Sequence, residues 1–190
     1  MKTLTIASTN HGKIQEVRLA LRDLPGWRID PLPAGIPEID ESGTTFLENA
    51  TLKAAYYSRF VEGIALADDS GLCVKSLGNR PGVWTDRCGA TPESRNQSIL
   101  QELAASADRE AAFHCAFVVA RSGSIVWTTE TRLDGQITLE AAGDFGFGFD
   151  PIFLVPGLRK TLAQMTSEEK NHWSARGKAL NELKRFLSMP

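Results

Sequence analysis

The stretch Ala67-Asp68-Asp69-Ser70-Gly71-Leu72 is the most informative part of this sequence. It follows Gly63–Ala67, a short apolar run typical of a buried strand, so we expect two adjacent carboxylates where a strand ends and a loop begins. Because side chains alternate along a strand, Asp68 and Asp69 should point in different directions. One can then stabilise the structure while the other binds Mg²⁺ or acts as a base toward a metal-bound water. The alternative is an ordinary Asp-Ser-Gly turn after a strand.

The composition suits one domain, or two lobes around one cleft, in a chain of 190 residues. Hydrophobic residues make up 42% of it, and the net charge of −2 gives no reason to expect a nucleic-acid partner. Cys73, Cys88 and Cys115 lack metal-ligand or redox spacing, which favours buried thiols in a reducing compartment. Met1–Ile6 alternates like a strand, and no apolar run approaches the ~20 residues that span a membrane. We therefore expect a cytoplasmic protein with no membrane partner.

Strands and helices alternate along the chain. Apolar runs predict strands at about 3–7, 64–67, 111–120, 124–133 and 152–155, of which the two long ones form a hairpin. Helical spacing and capping signals predict five helices. The first ends at Pro25-Gly26, the second and third cover about 46–61 and 92–104, and the last two begin near Thr166 and at Ser174. Residues 31–44 and 75–90 should be irregular. This order indicates an α/β fold with a mixed β-sheet.

Two predicted helix starts carry residues suited to phosphate. The first βα turn, Ser8-Thr9-Asn10-His11-Gly12-Lys13, puts small polar residues and a lysine at a helix N-terminus, which favours anions. It lacks Walker A spacing, and the alternative is an ordinary helix cap with a solvated lysine. Asn49 and Lys53 lie one helical turn apart, so they either share a face toward a phosphate or belong to a solvated surface.

Several short motifs together are more specific than any one of them. They are Ser8–Lys13, Glu41, Thr45-Phe46-x-Glu48-Asn49-Ala50, Lys53, Asp68–Leu72, Pro81-Gly82-Val83, Phe147-Gly148-Phe149-Asp150-Pro151-Ile152-Phe153 and Ser174-x-Arg176-Gly177-Lys178-Ala179-Leu180. In this order they closely resemble the inosine-triphosphate pyrophosphatase family, also called XTP/dITP diphosphatases. The resemblance extends from residue 3 to about residue 187.

The resemblance implies an ITPase-like (Maf/Ham1-type) α/β fold over residues 1–190, with an elongated mixed β-sheet flanked by helices and two lobes around a nucleotide cleft. It implies a Mg²⁺-dependent homodimer that hydrolyses ITP, dITP and XTP to the monophosphate and pyrophosphate. Such an enzyme removes deaminated purines from the nucleotide pool. The irregular region around Trp84 is the expected dimer surface.

The resemblance also implies roles for individual residues. Glu41 and Asp69 would bind Mg²⁺, with Asp69 as proton acceptor, while Lys13 acts in catalysis and Lys53 helps it neutralise the departing pyrophosphate. The implied substrate-binding residues are Ser8, Thr9, Asn10, His11, Gly12, Lys13, Lys53, Ser70, Phe147, Gly148, Phe149, Asp150, Lys170 and Arg176. Of these, the segment 147–150 would line the base pocket, with an aromatic ring stacked on the purine. Donors aimed at the purine 6-keto oxygen would reject adenine.

The sequence departs from the family pattern at three places. Ala175 stands where the family usually has histidine, and Phe149 replaces the usual tyrosine. The segment Trp84-Thr85-Asp86-Arg87-Cys88 differs from the family's usual Tyr-Ser-Ala-Arg-Tyr but keeps Arg87. These departures bear on base recognition more than on phosphate chemistry. Two alternatives stay open: a pyrophosphatase of the same fold for other modified nucleotides, and a nucleotide-binding sensor without turnover.

Overall fold

The computed structural model describes residues 1–85 and 88–189. Its strands are β1 (Lys2–Ile6), β2 (Trp27–Pro31), β3 (Ile64–Val74), β4 (Arg80–Pro81), β5 (Glu110–Arg121), β6 (Ser124–Ile137), β7 (Phe153–Val155) and β8 (Lys160–Thr161). Its α-helices are α1 (His11–Leu21), α2 (Phe46–Tyr57), α3 (Pro92–Glu102), α4 (Ser167–Trp173) and α5 (Ala175–Leu187). None of the helices in the described residues has the length and apolar character needed to span a bilayer.

The described strands form one mixed sheet in the order β2-β1-β3-β5-β6-β7-β8, with β4 paired to β3. β1 pairs in parallel with β2 and with β3, where Leu4 lies opposite Ile64. The pairs β3–β4, β6–β7 and β7–β8 are antiparallel. Ser122 and Gly123 connect β5 to β6 with positive φ angles of 50° and 87°, the backbone that a two-residue hairpin turn requires. The predicted α/β fold with a mixed sheet is thus confirmed.

The chain divides into two compact units, and the division falls within β3, between Asp69 and Ser70. The first unit contains Met1–Asp69, Cys115–Thr131 and Lys178–Pro190, and the second contains Ser70–His114 and Arg132–Gly177. Adjacent residues of the Asp-Asp-Ser-Gly run therefore belong to different units.

Small side chains form much of the core of the first unit. Ala50 and Ala54 of α2 are fully buried together with alanines of β3 and β5. Because such small residues fill little space, the helix can lie close to the sheet. Asn49 and Lys53 directly precede the two alanines, so the same packing carries them to the buried side of α2.

Polar contacts organise the second unit. The Arg109 guanidinium donates to the carbonyls of Leu103, Ile137 and Thr138, at 2.6–2.8 Å, and so connects the end of α3 to the end of β6. The rings of Phe113 and Phe153 pack with their centroids 4.7 Å apart. This unit carries the loop between β6 and β7.

The predicted end of β3 was wrong, and the strands β2, β4 and β8 were not predicted. β3 does not end at Ala67 but continues to Val74, because β5 lies beside it in the sheet and β4 pairs with Cys73 and Val74, which outweighs the turn tendency of Asp-Ser-Gly. β2 was missed because it pairs only with β1 and is only partly buried, which gives its sequence no clear apolar alternation. The predicted helices at 46–61 and 92–104 exist but end earlier, at Tyr57 and Glu102.

Candidate active site

Polar side chains of the first unit form a buried group that we call the carboxylate cluster. Its members are Lys13, Glu41, Asn49, Lys53, Asp68 and Asp69. α1 supplies the first lysine, α2 the asparagine and the second lysine, and β3 the two aspartates. Except for Glu41, each of these residues is more than nine-tenths buried. Charged groups at this depth persist only when they are paired, so the arrangement is a specific one.

The two aspartates bind different lysines. Asp68 Oδ2 lies 3.3 Å from Lys13 Nζ, whereas Asp69 Oδ1 accepts a hydrogen bond from Lys53 Nζ at 3.1 Å. The two residues lie inside β3 rather than at its end, and both contribute to the same cluster. The opposite orientation of their side chains stays a prediction. Because both lysines are buried, the alternatives of a solvated Lys13 and a solvated face around Lys53 do not apply.

Lys53 connects the two expected metal ligands. Its ammonium lies 3.2 Å from Glu41 Oε1 and 3.1 Å from Asp69 Oδ1. The other oxygen of Asp69, Oδ2, accepts from Asn49 Nδ2 at 3.3 Å. Both carboxylate oxygens of Asp69 are therefore held by side chains of α2.

Asn49 also fixes the loop that carries Glu41. Its Oδ1 accepts from the Gly43 backbone N–H at 2.8 Å, and a Cβ added at Gly43 would lie 2.6 Å from the same oxygen. A larger residue at position 43 would disturb this contact. The helical spacing predicted that Asn49 lies on the same face as Lys53. It could not predict the contacts of Asn49 with Gly43 and Asp69, because these residues are not related to it by helical spacing.

Burial and charge shift two pKa values in the cluster. Burial opposes the charged form of Lys53, but the neighbouring carboxylates, chiefly Asp69, outweigh it and raise the lysine pKa. Burial raises the pKa of Asp69 above the ordinary carboxyl value, and the ammonium groups of Lys53 and Lys13 offset part of that rise. Lys53 is thus a permanent cation near neutral pH, and Asp69 is a better proton acceptor than an exposed aspartate.

The donor set of the cluster fits Mg²⁺. Glu41 and Asp69 present hard carboxylate oxygens around one position that already attracts a cation, the Lys53 ammonium. Within residues 1–85 and 88–189, no group of three His, Cys, Asp or Glu side chains could hold a metal. A metal here would therefore complete its coordination with water and with ligand oxygens, as Mg²⁺ commonly does in phosphate-transfer sites.

The turn at residues 8–13 forms the N-terminus of α1. Asn10 is the N-cap, and its Oδ1 accepts from the backbone N–H groups of Gly12 and Lys13 at 3.0 and 3.2 Å. Ser8 Oγ in turn accepts from the Asn10 backbone N–H at 3.2 Å. The turn is thus a well-formed helix cap, while Thr9 and His11 are exposed at its surface.

A second group, which we call the aromatic cluster, lies in the second unit. It contains Ser70, Asn96, Phe147, Asp150, Lys170 and Arg176. Asp150 is its centre: Oδ2 accepts from Lys170 Nζ at 2.5 Å and from the Phe147 backbone N–H at 2.7 Å. A Cβ at Gly146 would lie 2.1 Å from the same oxygen, so only glycine fits there. Asp150 therefore fixes both the loop and the lysine.

Two of the three phenylalanines of the loop, Phe147 and Phe149, were predicted to line the base pocket, and they have different environments. Phe149 is 2% exposed and belongs to the core, whereas Phe147 keeps accessible surface. Lys170 Nζ lies 4.5 Å and the Arg176 guanidinium carbon 5.4 Å from the Phe147 ring centroid. A tyrosine at position 149 would therefore have a buried hydroxyl group, which would need a hydrogen-bond partner.

Arg176 and Asn96 complete the aromatic cluster. Arg176 Nη2 donates to Ser70 Oγ at 2.6 Å, which brings together two residues that the sequence predicted for substrate contact. Asn96 of α3 is buried and donates from Nδ2 to the Gly148 carbonyl at 3.2 Å. Sequence reasoning missed Asn96, because nothing in its local pattern indicates a partner 52 residues away.

The remaining expectations concern the departures from the family pattern. Ala175 is the first residue of α5 and is 3% exposed, while Ser174 Oγ before it accepts from the Gly177 backbone N–H at 3.0 Å. His172 is exposed and packs edge-on against Trp173. The expectation for Arg87 lies outside the described residues.

Comparisons with known proteins give one consistent result. The Ham1 family model matches residues 4–186. A dITP/XTP pyrophosphatase of Synechocystis sp. is 43% identical over 184 residues, covering 96% of this chain and 94% of the relative. A dITP/XTP pyrophosphatase of Lactococcus lactis is 42% identical, covering 96% of this chain and 94% of its own.

Solved structures agree with the sequence comparison. A HAM1 protein from Coxiella burnetii superposes with a TM-score of 0.88 at 37% identity, covering 99% of both chains. The Ham1 protein of Staphylococcus aureus gives a TM-score of 0.84 at 35% identity, covering 98% of both chains. The family resemblance inferred from the ordered motifs is confirmed by these matches. The chain belongs to the Ham1 family.

Proposed function

We propose that this chain is a dITP/XTP pyrophosphatase that cleaves deaminated purine nucleoside triphosphates between the α- and β-phosphates. The products are the nucleoside monophosphate and pyrophosphate. The main structural support is the carboxylate cluster, in which Glu41 Oε1 and Asp69 Oδ1 lie 3.2 and 3.1 Å from the Lys53 ammonium and so surround one cation position. The names of the relatives from Synechocystis sp. and Lactococcus lactis support the same substrate class.

The metal in this proposal is Mg²⁺, held by Glu41 and Asp69. When bound, it supplies positive charge to phosphate oxygens and lowers the pKa of a bound water. Asp69 accepts the proton of the attacking water, a role that suits a carboxyl group whose pKa is raised by burial. The buried ammonium groups of Lys13 and Lys53 neutralise the charge that develops on the departing pyrophosphate.

We assign base recognition to the aromatic cluster. Phe147 is half-buried and its ring lies beside Lys170 and Arg176, whereas Phe149 is buried, so we assign the stacking on the purine to Phe147. Lys170 and Arg176 provide hydrogen-bond donors beside that ring. Hypoxanthine and xanthine offer keto oxygens to such donors, whereas adenine offers a 6-amino group and leaves the donors unpaired. Guanine shares the 6-keto oxygen, so its rejection depends on its 2-amino group.

The remaining parts of the proposal are a homodimer and a cytoplasmic location. The dimer is proposed from the family membership, and Trp84, which is 58% exposed, offers an aromatic side chain that a partner could cover. Light scattering at micromolar concentration tests the dimer, and a monomeric mass contradicts it. All three cysteines are described and none forms a disulfide, which agrees with a reducing compartment. The prediction that all three thiols are buried was wrong, because only Cys115 is buried, while Cys73 is partly buried and Cys88 is exposed.

A substrate panel tests the proposed function. The protein is incubated with Mg²⁺ and XTP, dITP, ITP, GTP, dATP or a methylated nucleotide, and pyrophosphate and orthophosphate are measured separately. We expect pyrophosphate from XTP, dITP and ITP and little from the others. Orthophosphate as the first product contradicts the cleavage position. Preference for a methylated nucleotide contradicts the substrate class, and tight ITP binding without turnover indicates a sensor.

A further inference from the structure

Lys53 occupies the place between the two expected metal ligands. Its ammonium lies within 3.2 Å of both Glu41 Oε1 and Asp69 Oδ1. The lysine is 8% exposed and shields Asp69 from water, while the Glu41 side chain is 29% exposed. Without a cation, two carboxylates around one buried position repel each other and lose hydration, which is costly.

A divalent cation cannot join this arrangement without changing it. Mg²⁺ approaches carboxylate oxygens to about 2.1 Å, and an ammonium about 3 Å from the same oxygens repels it strongly at this depth. The cluster holds three carboxylates but only two ammonium groups, and the Lys13 ammonium is engaged by Asp68. Displacing Lys53 alone therefore opens Glu41 and Asp69 together.

We propose that Lys53 is the resident counter-ion of the metal site, which a divalent cation displaces before it can reach Glu41 and Asp69. The proposal rests on the proposed function, since it takes these two residues as the metal ligands. The displaced ammonium is then available to a phosphate group. Metal alone binds weakly because it must expel Lys53, and a triphosphate favours metal binding because it gives Lys53 a new partner.

Asn49 has the opposite role in this proposal. It holds Asp69 through Oδ2, on the oxygen that Lys53 does not use, and it stays in place when the ammonium leaves. It is therefore a positioning residue for the metal ligand. Substitutions at Lys53 and Asn49, one turn apart on α2, should change metal affinity in opposite directions.

The test measures Mn²⁺ binding to nucleotide-free protein, by loss of the free-ion electron paramagnetic resonance signal after prior treatment with a chelator. We expect Lys53→Gln to bind Mn²⁺ at least about tenfold more tightly than the wild type, since a repelling charge is removed. Lys53→Arg keeps the charge and should stay within about threefold. Asn49→Ala should bind at least about threefold more weakly. Equal or weaker binding by folded Lys53→Gln overturns the proposal.

A labelling measurement on the wild type covers the case in which Lys53→Gln does not fold. Acetylation by acetic anhydride, followed by mass spectrometry, should modify Lys53 faster when Mg²⁺ is present, because the ammonium leaves its buried position. The exposed Lys75 serves as the internal control, with an unchanged rate. Unchanged or slower labelling of Lys53 with Mg²⁺ overturns the proposal.

The outcomes also separate this inference from the proposed function. If the wild type and all variants fail to bind Mn²⁺, both the metal site and the role of Lys53 are wrong. If the wild type binds Mn²⁺ and hydrolyses XTP while Lys53→Gln binds no more tightly, only the counter-ion role is wrong. Tighter metal binding by Lys53→Gln with slower XTP hydrolysis supports both.

Discussion

The carboxylate cluster and the aromatic cluster are built alike but carry opposite charge. Each places a buried lysine against a buried aspartate, Lys53 with Asp69 in the first unit and Lys170 with Asp150 in the second. The carboxylate cluster holds three acids and two lysines, whereas the aromatic cluster contains Lys170 and Arg176 against one acid. The first therefore has room for an added cation, and the second favours ligands that accept hydrogen bonds.

The roles of the two aspartates differ in the same way. Asp150 accepts hydrogen bonds from a backbone N–H and from a lysine of its own unit. Its carboxylate packs so closely against Gly146 that a larger residue at position 146 would clash with it. The hydrogen bonds to the Asp69 carboxylate among the described residues come from the side chains of Asn49 and Lys53, and we propose that Lys53 moves away. Similar ion pairs thus fix a loop in one unit and hold the proposed proton acceptor in the other.

The largest expected effect comes from removing the Asp69 carboxylate. Asp69→Asn should lower kcat for XTP by about 100-fold or more, because it removes the proton acceptor and a metal ligand. Pyrophosphate release measures the effect, and circular dichroism checks that the variant is folded. Asp68→Asn is the matched neighbour, and its effect should be smaller, since Asp68 acts through Lys13. If a folded Asp69→Asn variant keeps normal turnover, Asp69 is not the base.

The next effect distinguishes the role of Phe147 in substrate binding from the role of Phe149 in the core. Phe147→Ala should lower kcat/KM for XTP roughly 5- to 150-fold, mainly through KM, which corresponds to a stacking contribution of about 1–3 kcal/mol. Phe149→Ala should instead lower the free energy of unfolding by about 3–5 kcal/mol, because Phe149 is buried. Substrate kinetics and thermal unfolding of both variants check the assignment. A stable Phe149→Ala variant with raised KM would reverse it.

The pH dependence of kcat/KM should distinguish the clusters further. Asp69 must be ionised to accept a proton, so activity falls as the pH drops through its pKa, which burial raises. The Lys13 ammonium lowers that pKa, and Lys13→Gln should therefore shift the acidic limb to higher pH. Phe147→Ala should leave the limb in place. A limb that does not respond to Lys13→Gln would mean that another group titrates.

The smallest expected effect concerns Ala175. Installing the imidazole that the family usually has at this position, in Ala175→His, should raise kcat/KM for ITP about 2- to 10-fold, the equivalent of one hydrogen bond. Because Ala175 is 3% exposed, its neighbours must adjust, and thermal unfolding should be measured alongside the kinetics for ITP and GTP. If neither kcat/KM nor their ratio changes by more than about twofold, position 175 takes no part in base recognition.

The sequence by itself determined the family, the α/β class and most of the residues that form the two clusters. Local signals were sufficient for this: Thr45 and Glu48 form the predicted capping box, and the hairpin of β5 and β6 follows from apolar runs around a tight turn. Ordered motifs then assigned most of the remaining site residues.

The tertiary structure alone decided how the polar groups pair. Turn chemistry suggested a loop at Asp-Asp-Ser-Gly, but the run lies inside β3, which has β5 beside it and pairs with β4 at Cys73 and Val74. Several contacts join residues whose positions follow no helical or strand periodicity. They are the ion pairs of Lys53 with Glu41 and Asp69, and the hydrogen bonds of Asn49 with Gly43 and of Asn96 with Gly148. Burial decides such contacts, since a charged or polar group removed from water must find a partner wherever the fold provides one.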